Sequence, residues 1–344
     1  MISDRLKKSI DTDRNQIKPD FTGKTMNIEI VGSCNEKCIY CKYSAQGLHK
    51  RNVMIDEELF YDVTRQAKKL GITDVGLYIT AEPFMNPNLY KYVDYLKNEL
   101  KFEYVYISTN GIMCTPNNLE KLVKAGIDSI KFSVSAADRD SFKKHHGVDA
   151  FDLVLGNIKY AYEYRKNNNL DYKLYMFSII TRFNKADEEK IRKLYEQYVD
   201  EVLMAYVIAS PYVKGVKEYL CLKDDKSIIN VAAHEKLPCM QLFDRIVVNE
   251  DGYLCACCND TRNGLTEIED LHRVKLEDAL YGEKMVAIRK MHIDKNIKGT
   301  VCENCIYERN DAVLPLAQLE GKNMVHIDEV DVSEEIRKRF LIEE

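Results

Sequence analysis

The chain has 344 residues, 45% of them hydrophobic and 31% charged, with a formal net charge of −5 and no tryptophan. That length buries a sizeable core and accommodates one large domain with an appendage, or two domains. A mildly acidic balance disfavours nucleic acid, because phosphate binding draws on a basic surface. The opening stretch MISDRLKKSIDTDRNQIKPD lacks the apolar core of a signal peptide, and no later run approaches the ~20 apolar residues of a membrane span. The expectation is a cytoplasmic protein that engages neither nucleic acid nor membrane. In a reducing compartment, the clustered ones among eleven cysteines read as metal or iron–sulfur ligands rather than disulfides.

After a polar extension over residues 1–25, the run MNIEIVG, Met26 to Gly32, predicts one buried strand that leads to Cys34. Alternation follows: IDEELFYDVTRQAKKLG has helical spacing with a stop at Gly71, DVGLYIT reads as a strand, NPNLYKYVDYLKNEL as a helix and EYVYIST as a strand. TPNNLEKLVKAG, capped at Thr115 or Asn117, precedes the strand IDSIKFSVS. The helix FDLVLGNIKYAYEYRKN, the strand YKLYMFSIIT, the helix KADEEKIRKLYEQY and the strand VDEVLMAYVIA complete six units. Such succession predicts parallel strands with right-handed crossovers, a partial (β/α)6 TIM-like barrel over residues 26–210.

Beyond Ser210 the pattern becomes irregular and cysteine-rich, marking a second module over 211–325 before a charged tail, 326–344, that ends in SEEIRKRFLIEE. DRIVVNEDGYLCACC predicts a hairpin turning at Asn249 to Gly252, and KLEDALYGEKMVAIRKMH one helix.

The stretch SCNEKCIYCKYS carries Cys34, Cys38 and Cys41 in C-x3-C-x2-C spacing, directly after the first strand. Ligands in parallel α/β folds collect at the carboxyl ends of strands. A closed zinc shell takes four ligands, and His49 is the only nearby imidazole. Three thiolates on a four-iron cluster instead leave one iron open. With Tyr40 before the last cysteine, this motif at this place resembles the radical S-adenosylmethionine superfamily. The resemblance implies a 4Fe-4S cluster on Cys34, Cys38 and Cys41 whose open iron chelates S-adenosylmethionine. It also implies reductive cleavage to a 5′-deoxyadenosyl radical, with flavodoxin or ferredoxin as reductant.

Three later segments fall where that family contacts the cofactor. TAEPFMNPNL resembles its Gly-Glu-Pro segment, with Glu82 and Pro83 matching and Ala81 in place of glycine; the resemblance implies contact with the methionine amino group. STNG, with Ser108 and Asn110, resembles the ribose-contacting segment, and Ser133 in FSVSAAD matches a serine near methionine and ribose. Where relatives often carry an arginine, this chain offers Lys144, His145 or His146.

In the second module, Cys239 is followed after twelve residues by Gly252, after four more by Cys257, and then by Cys302-x2-Cys305. This is similar to the twitch module, a shortened SPASM. It implies one auxiliary 4Fe-4S cluster on Cys239, Cys257, Cys302 and Cys305; a zinc ribbon is the alternative. Cys114 reads as a small buried hydrophobe. Cys221, Cys255 and Cys258 are candidate hydrogen-atom donors, by position alone. The resemblance to compact twitch enzymes points to hydrogen abstraction from a carbinol carbon of a sugar, aminocyclitol or nucleotide sugar, ending in dehydrogenation or epimerisation. Peptide maturation by cross-linking or epimerisation is the second reading, and a non-catalytic zinc or iron–sulfur protein the third.

Overall fold

The computed structural model describes residues 13–45, 50–207, 213–214, 236–259, 261, 264–307, 313–317, 319 and 330–331. His49, Cys221 and the charged C-terminal stretch lie outside them. The expected single first strand is two: β1 (Thr25–Ile28) and β2 (Val31–Ser33), the latter pairing antiparallel with β3 (Lys50–Met54). The break falls at Glu29, whose buried carboxylate accepts hydrogen bonds from Ile79 N, Thr80 N, Thr80 Oγ1 and Ala81 N, so the chain leaves the sheet to meet a neighbouring loop.

The remaining units follow the expected alternation. They are α1 (Lys42–Ala45), α2 (Glu57–Lys69), β4 (Asp74–Gly76), α3 (Leu89–Asp94, continuing in a π-turn to Glu99) and β5 (Tyr104–Thr109). Then come α4 (Pro116–Lys124), β6 (Ser129–Ser133), α5 (Arg139–His146), α6 (Phe151–Asn167), β7 (Lys173–Ile180), α7 (Glu188–Tyr195) and β8 (Glu201–Tyr206). Asp56 caps α2 by accepting from Leu59 N at 2.8 Å, and Thr115 occupies the N-cap of α4. Strands β1, β4, β5, β6, β7 and β8 lie side by side and parallel, in chain order. Right-handed crossovers in that order put the helices on one face.

Period-two alternation sorts the strand residues accordingly. Met26, Ile28, Val105, Ile107, Ile130 and Phe132 are fully buried in the apolar core. On the opposite, inner face stand Asn27, Tyr78, Tyr106, Lys131 and Tyr175. Cys114 is a buried core residue.

The second module does not stand apart. After a two-residue strand β9 (Val213–Lys214) and α8 (Gln241–Asp244), strand β10 (Arg245–Val248) pairs parallel with β1 and extends the same sheet. Strands β11 (Tyr253–Cys255) and β12 (Glu267–Asp270) add antiparallel, giving a nine-stranded sheet. The expected single helix is two, α9 (Leu276–Tyr281) and α10 (Glu283–Ile293), because Gly282 adopts an extended backbone between them. Helix α11 (Val301–Tyr307) and β13 (Val330–Asp331), which pairs with β9, complete the order.

The β10–β11 turn is as expected: Gly252 N donates to Asn249 O, and Asn249 takes Tyr253 N on its side-chain oxygen at 2.8 Å. Arg51 bridges Glu250 and Asp251, each at 2.8 Å, tying β3 to this tip. Gly252 sits at φ +83°, and a Cβ there would collide with Leu59 Cδ2 and His272 Cε1. Gly252→Ala therefore combines left-handed strain with a displaced α2 contact and is expected to cost about 1–3 kcal/mol. A urea midpoint indistinguishable from the parent would contradict this.

Candidate functional site

The cysteine loop is built against the C-terminus of α5. Lys37 N and Ile39 N donate to the carbonyls of His146 and His145, at 3.0 and 2.9 Å. Orphan carbonyls of a last helical turn are thereby satisfied by the cysteine loop. Cys41 N closes the loop onto Cys38 O. Cys34, Cys38 and Cys41 are brought within electrostatic reach of one another. Burial, with Glu82 and then Glu36 adding to it, pushes the Cys34 thiol upward; burial and Glu36 do the same to Cys38. Metal-free, these thiols keep their protons, so metal uptake must release them. Three converging soft thiols at a strand end fit an iron–sulfur cluster with one iron left open.

Two carboxylates frame the loop. Glu36 accepts from Cys38 Sγ at 3.1 Å and from His146 Nδ1 at 2.9 Å. His146 Nε2 accepts from Ser135 N at 3.0 Å, which assigns its proton to Nδ1. His145 is equally committed, with Nδ1 on Ser141 O at 2.8 Å and Nε2 on Thr181 Oγ1 at 3.2 Å, and burial lowers it to about 4. Both histidines are therefore internal struts. Of the residues expected to replace the family's arginine, Lys144 alone has no side-chain hydrogen bond among the described residues, its Nζ lying 4.5 Å from the Phe183 ring centroid.

Glu82 turns inward rather than toward the loop's open side. Its carboxylate accepts from Thr109 Oγ1 at 2.8 Å, Asn110 N at 2.8 Å and Phe84 N at 3.2 Å, locking the loop after β4 to the end of β5. Ala81 N is held by Glu29. Asn110 Nδ2 reaches Asn35 Oδ1 at 2.6 Å and Cys34 Sγ at 3.8 Å, so it touches the cysteine loop itself. Ser108 and Ser133 meet through their hydroxyls at 3.0 Å. Tyr40 OH accepts from Ser135 Oγ at 3.3 Å, and its ring meets His146 edge-on. Sequence reasoning missed Glu29 and Glu36, and named His146 without its bond to Glu36; an acidic residue inside the cysteine loop was the available signal.

In the second module Cys302 and Cys305 project from one face of α11, three residues apart. Cys302 is coupled electrostatically to Cys257, Cys239 and Cys305, so the four expected thiols share one locale. Burial raises Cys239 to about 11. Its backbone N–H donates to His292 Nδ1 at 3.4 Å. Of the donor candidates, Cys255 is buried against the carbonyl of Tyr253 at 3.6 Å. Cys258 instead approaches Gln241 Oε1 at 3.6 Å and is near enough to act on Tyr78, Lys131 and Arg245.

Burial lifts Glu82 to about 7, against the pull of its hydrogen bonds to Asn110, Thr109 and Phe84. Between 4.5 and about 7 the native chain keeps a proton that the unfolded chain has lost. Stability of the metal-free protein therefore falls as pH rises through that window, by up to about 3 kcal/mol from this group. Denaturant titrations at the two ends of the window are expected to show a flatter pH dependence in Glu82→Gln; an unchanged slope would contradict the assignment.

Residues 28–197 match the Radical SAM superfamily, and residues 239–306 match SPASM, an iron–sulfur cluster-binding domain. A probable GTP 3′,8-cyclase of Saccharolobus solfataricus is 37% identical over 136 residues, 40% of this chain and 42% of that protein. The match thus spans about two fifths of such a relative's length. The structure of BtrN in complex with AdoMet and 2-DOIA aligns over 83% of this chain and 93% of its own, at 18% identity and TM-score 0.53. Streptococcus suis SuiB bound to precursor peptide SuiA aligns over 92% of this chain and 79% of its own, at 17% identity and TM-score 0.63. These likenesses establish the fold. With its three-cysteine loop directly after β2 and its matched C-terminal module, the chain belongs to the radical SAM superfamily and carries a SPASM domain, its cofactors being S-adenosylmethionine and two iron–sulfur clusters.

Proposed function

We propose that this enzyme abstracts a hydrogen atom from a carbinol carbon of a small polar substrate, a sugar, aminocyclitol or nucleotide sugar, held on the inner face of the sheet. The observation that carries the reading is the lining of that face. Directly along the strands from Ser108 and Ser133 stand Tyr78, Tyr106 and Lys131, hydroxyl and amine groups suited to orient polyols. Cys34, Cys38 and Cys41 hold the first cluster in this reading, and Cys239, Cys257, Cys302 and Cys305 a second 4Fe-4S cluster with a complete shell. When bound and reduced by a flavodoxin or ferredoxin, the first cluster and S-adenosylmethionine supply a 5′-deoxyadenosyl radical.

The protein's part is positioning and exclusion of water. Asn110 and the Ser108–Ser133 pair fix the cofactor's polar end, while Glu82, Glu36 and Glu29 hold the loops that carry them. Abstraction leaves a carbon-centred radical. It would then lose its hydroxyl proton to a base and one electron to the second cluster to become a ketone, or take a hydrogen atom from a thiol to become the epimer, leaving a thiyl radical that one electron from the reductant and one proton would restore. Cys258 is the favoured donor, because Tyr78 and Lys131 share its surroundings. Residues 26–210 form the catalytic unit and 211–325 the auxiliary unit, between the flanking segments 1–25 and 326–344.

Anaerobic reconstitution, reduction in heavy water and separate pools of sugars, aminocyclitols, nucleotide sugars and peptides test this. Substrate-dependent 5′-deoxyadenosine is expected from a polyol pool, with a product two mass units lighter for a ketone or one heavier for an epimer. Turnover confined to peptides would overturn the substrate class. Cys38→Ala is expected to abolish 5′-deoxyadenosine. If the product is an epimer, Cys258→Ala is expected to keep 5′-deoxyadenosine formation while cutting epimer yield at least tenfold, about 1.4 kcal/mol or more in partitioning.

A further inference from the structure

Lys131 sits on β6 two residues before Ser133, paired in register with Ser108 on one side and Tyr175 on the other. Its ammonium donates to Tyr78 OH at 3.2 Å and lies 5.0 and 5.1 Å from the ring centroids of Tyr78 and Phe177. No carboxylate pairs with it among the described residues. A second cation, Arg245 of β10, acts on the same Tyr78 and on Lys131. Arg245 spends only its Nε, on Asp244 at 3.2 Å, and its terminal amino groups have no partner among the described residues. Glu29, the other carboxylate near Tyr78, is occupied by the donors of residues 79–81.

Two cations share one partly buried face on which, among the described residues, Asp244 pairs with Arg245 Nε, Asp74 faces Tyr106 beside Arg245, and no carboxylate pairs with Lys131, so the positive charge at Lys131 stands without a counter-ion. Lysine and arginine heads are rarely withdrawn from water without a counter-ion. Burial, the largest influence, pulls Lys131 down to about 8, and Arg245 pulls in the same direction, while the nearby Cys258 opposes them. An anion brought to this spot would relieve the repulsion and restore the charge.

We propose that Lys131 and Arg245 form the recognition site for an anionic group, a phosphate or a carboxylate, on the substrate. The site lies on the inner face, with Lys131 directly across from Ser108, so it orients the substrate with its anion toward β6 and β10 and its reacting carbon toward Ser133. Tyr78 supplies a neutral donor beside the two cations, and Phe177 closes the apolar side. The inference deepens the small-molecule reading and rests on it for the identity of the ligand, though not for the presence of an anion site.

The experiment has two parts. Thermal unfolding of the anaerobic, reconstituted holoenzyme is followed with inorganic phosphate and with acetate as probes. The wild type and Lys131→Arg are expected to be stabilised in a saturable way. Lys131→Met, which keeps the stacking stem but loses the charge, and Arg245→Met are expected to lose that response. Equal responses in wild type and Lys131→Met would overturn the proposal. Turnover is then compared across sugar phosphates, sugar acids and neutral sugars. Preference for phosphates or for acids identifies which anion is read, and Lys131→Met is expected to raise KM at least about tenfold with a smaller change in kcat. Efficient turnover of neutral sugars alone would overturn it. A charge-dependent phosphate response with no sugar turned over would support the anion site and count against the carbinol reading instead.

Discussion

Three buried carboxylates organise the carboxyl ends of the strands, and the candidate cofactor site depends on them. Glu29 gathers the backbone of residues 79–81, Glu82 ties that loop to Thr109 and Asn110, and Glu36 joins the cysteine loop to His146. Each withdraws a carboxyl group from water, and two or more hydrogen bonds to that one group offset the cost. Loops at strand ends have few apolar contacts with which to fix their positions. A buried acceptor that collects donors from two or three of them substitutes for a core.

This arrangement also separates labour across the sheet. The helix-covered face holds the apolar side chains and most of the stability. The inner face carries hydroxyls, amines and a guanidinium, groups that cannot pack against one another as hydrocarbon does. Because β10 joins β1 in the same sheet, the auxiliary module brings Arg245 and Cys258 to that face directly. The two iron–sulfur units are thus parts of one continuous β-scaffold rather than beads on a linker.

Much of this was legible in the sequence. The six alternating units, the three-cysteine loop and the Asn249–Gly252 turn follow from periodicity, ligand spacing and turn chemistry, which are local. The break at Glu29 was hidden because an isolated glutamate in an apolar run does not disclose that another loop will bond to it. His145 and His146 stood as possible replacements for the family's arginine for the same reason; their partners, Thr181, Ser135 and Glu36, come from distant segments. Nothing local in the sequence singled out Lys131, since alternation gives its face but not what stands opposite. The pairing of β10 with β1 is a non-local register that no local pattern encodes.

The central claim is that Cys34, Cys38 and Cys41 hold a cluster with one iron open to S-adenosylmethionine. Electron paramagnetic resonance of the reduced, reconstituted enzyme, recorded with and without S-adenosylmethionine labelled at its amino nitrogen, tests it most directly. A changed cluster signal with nitrogen hyperfine coupling, retained in a Cys257→Ala variant and absent from a Cys38→Ala variant, is the predicted result. A reduced cluster signal indifferent to S-adenosylmethionine would contradict it.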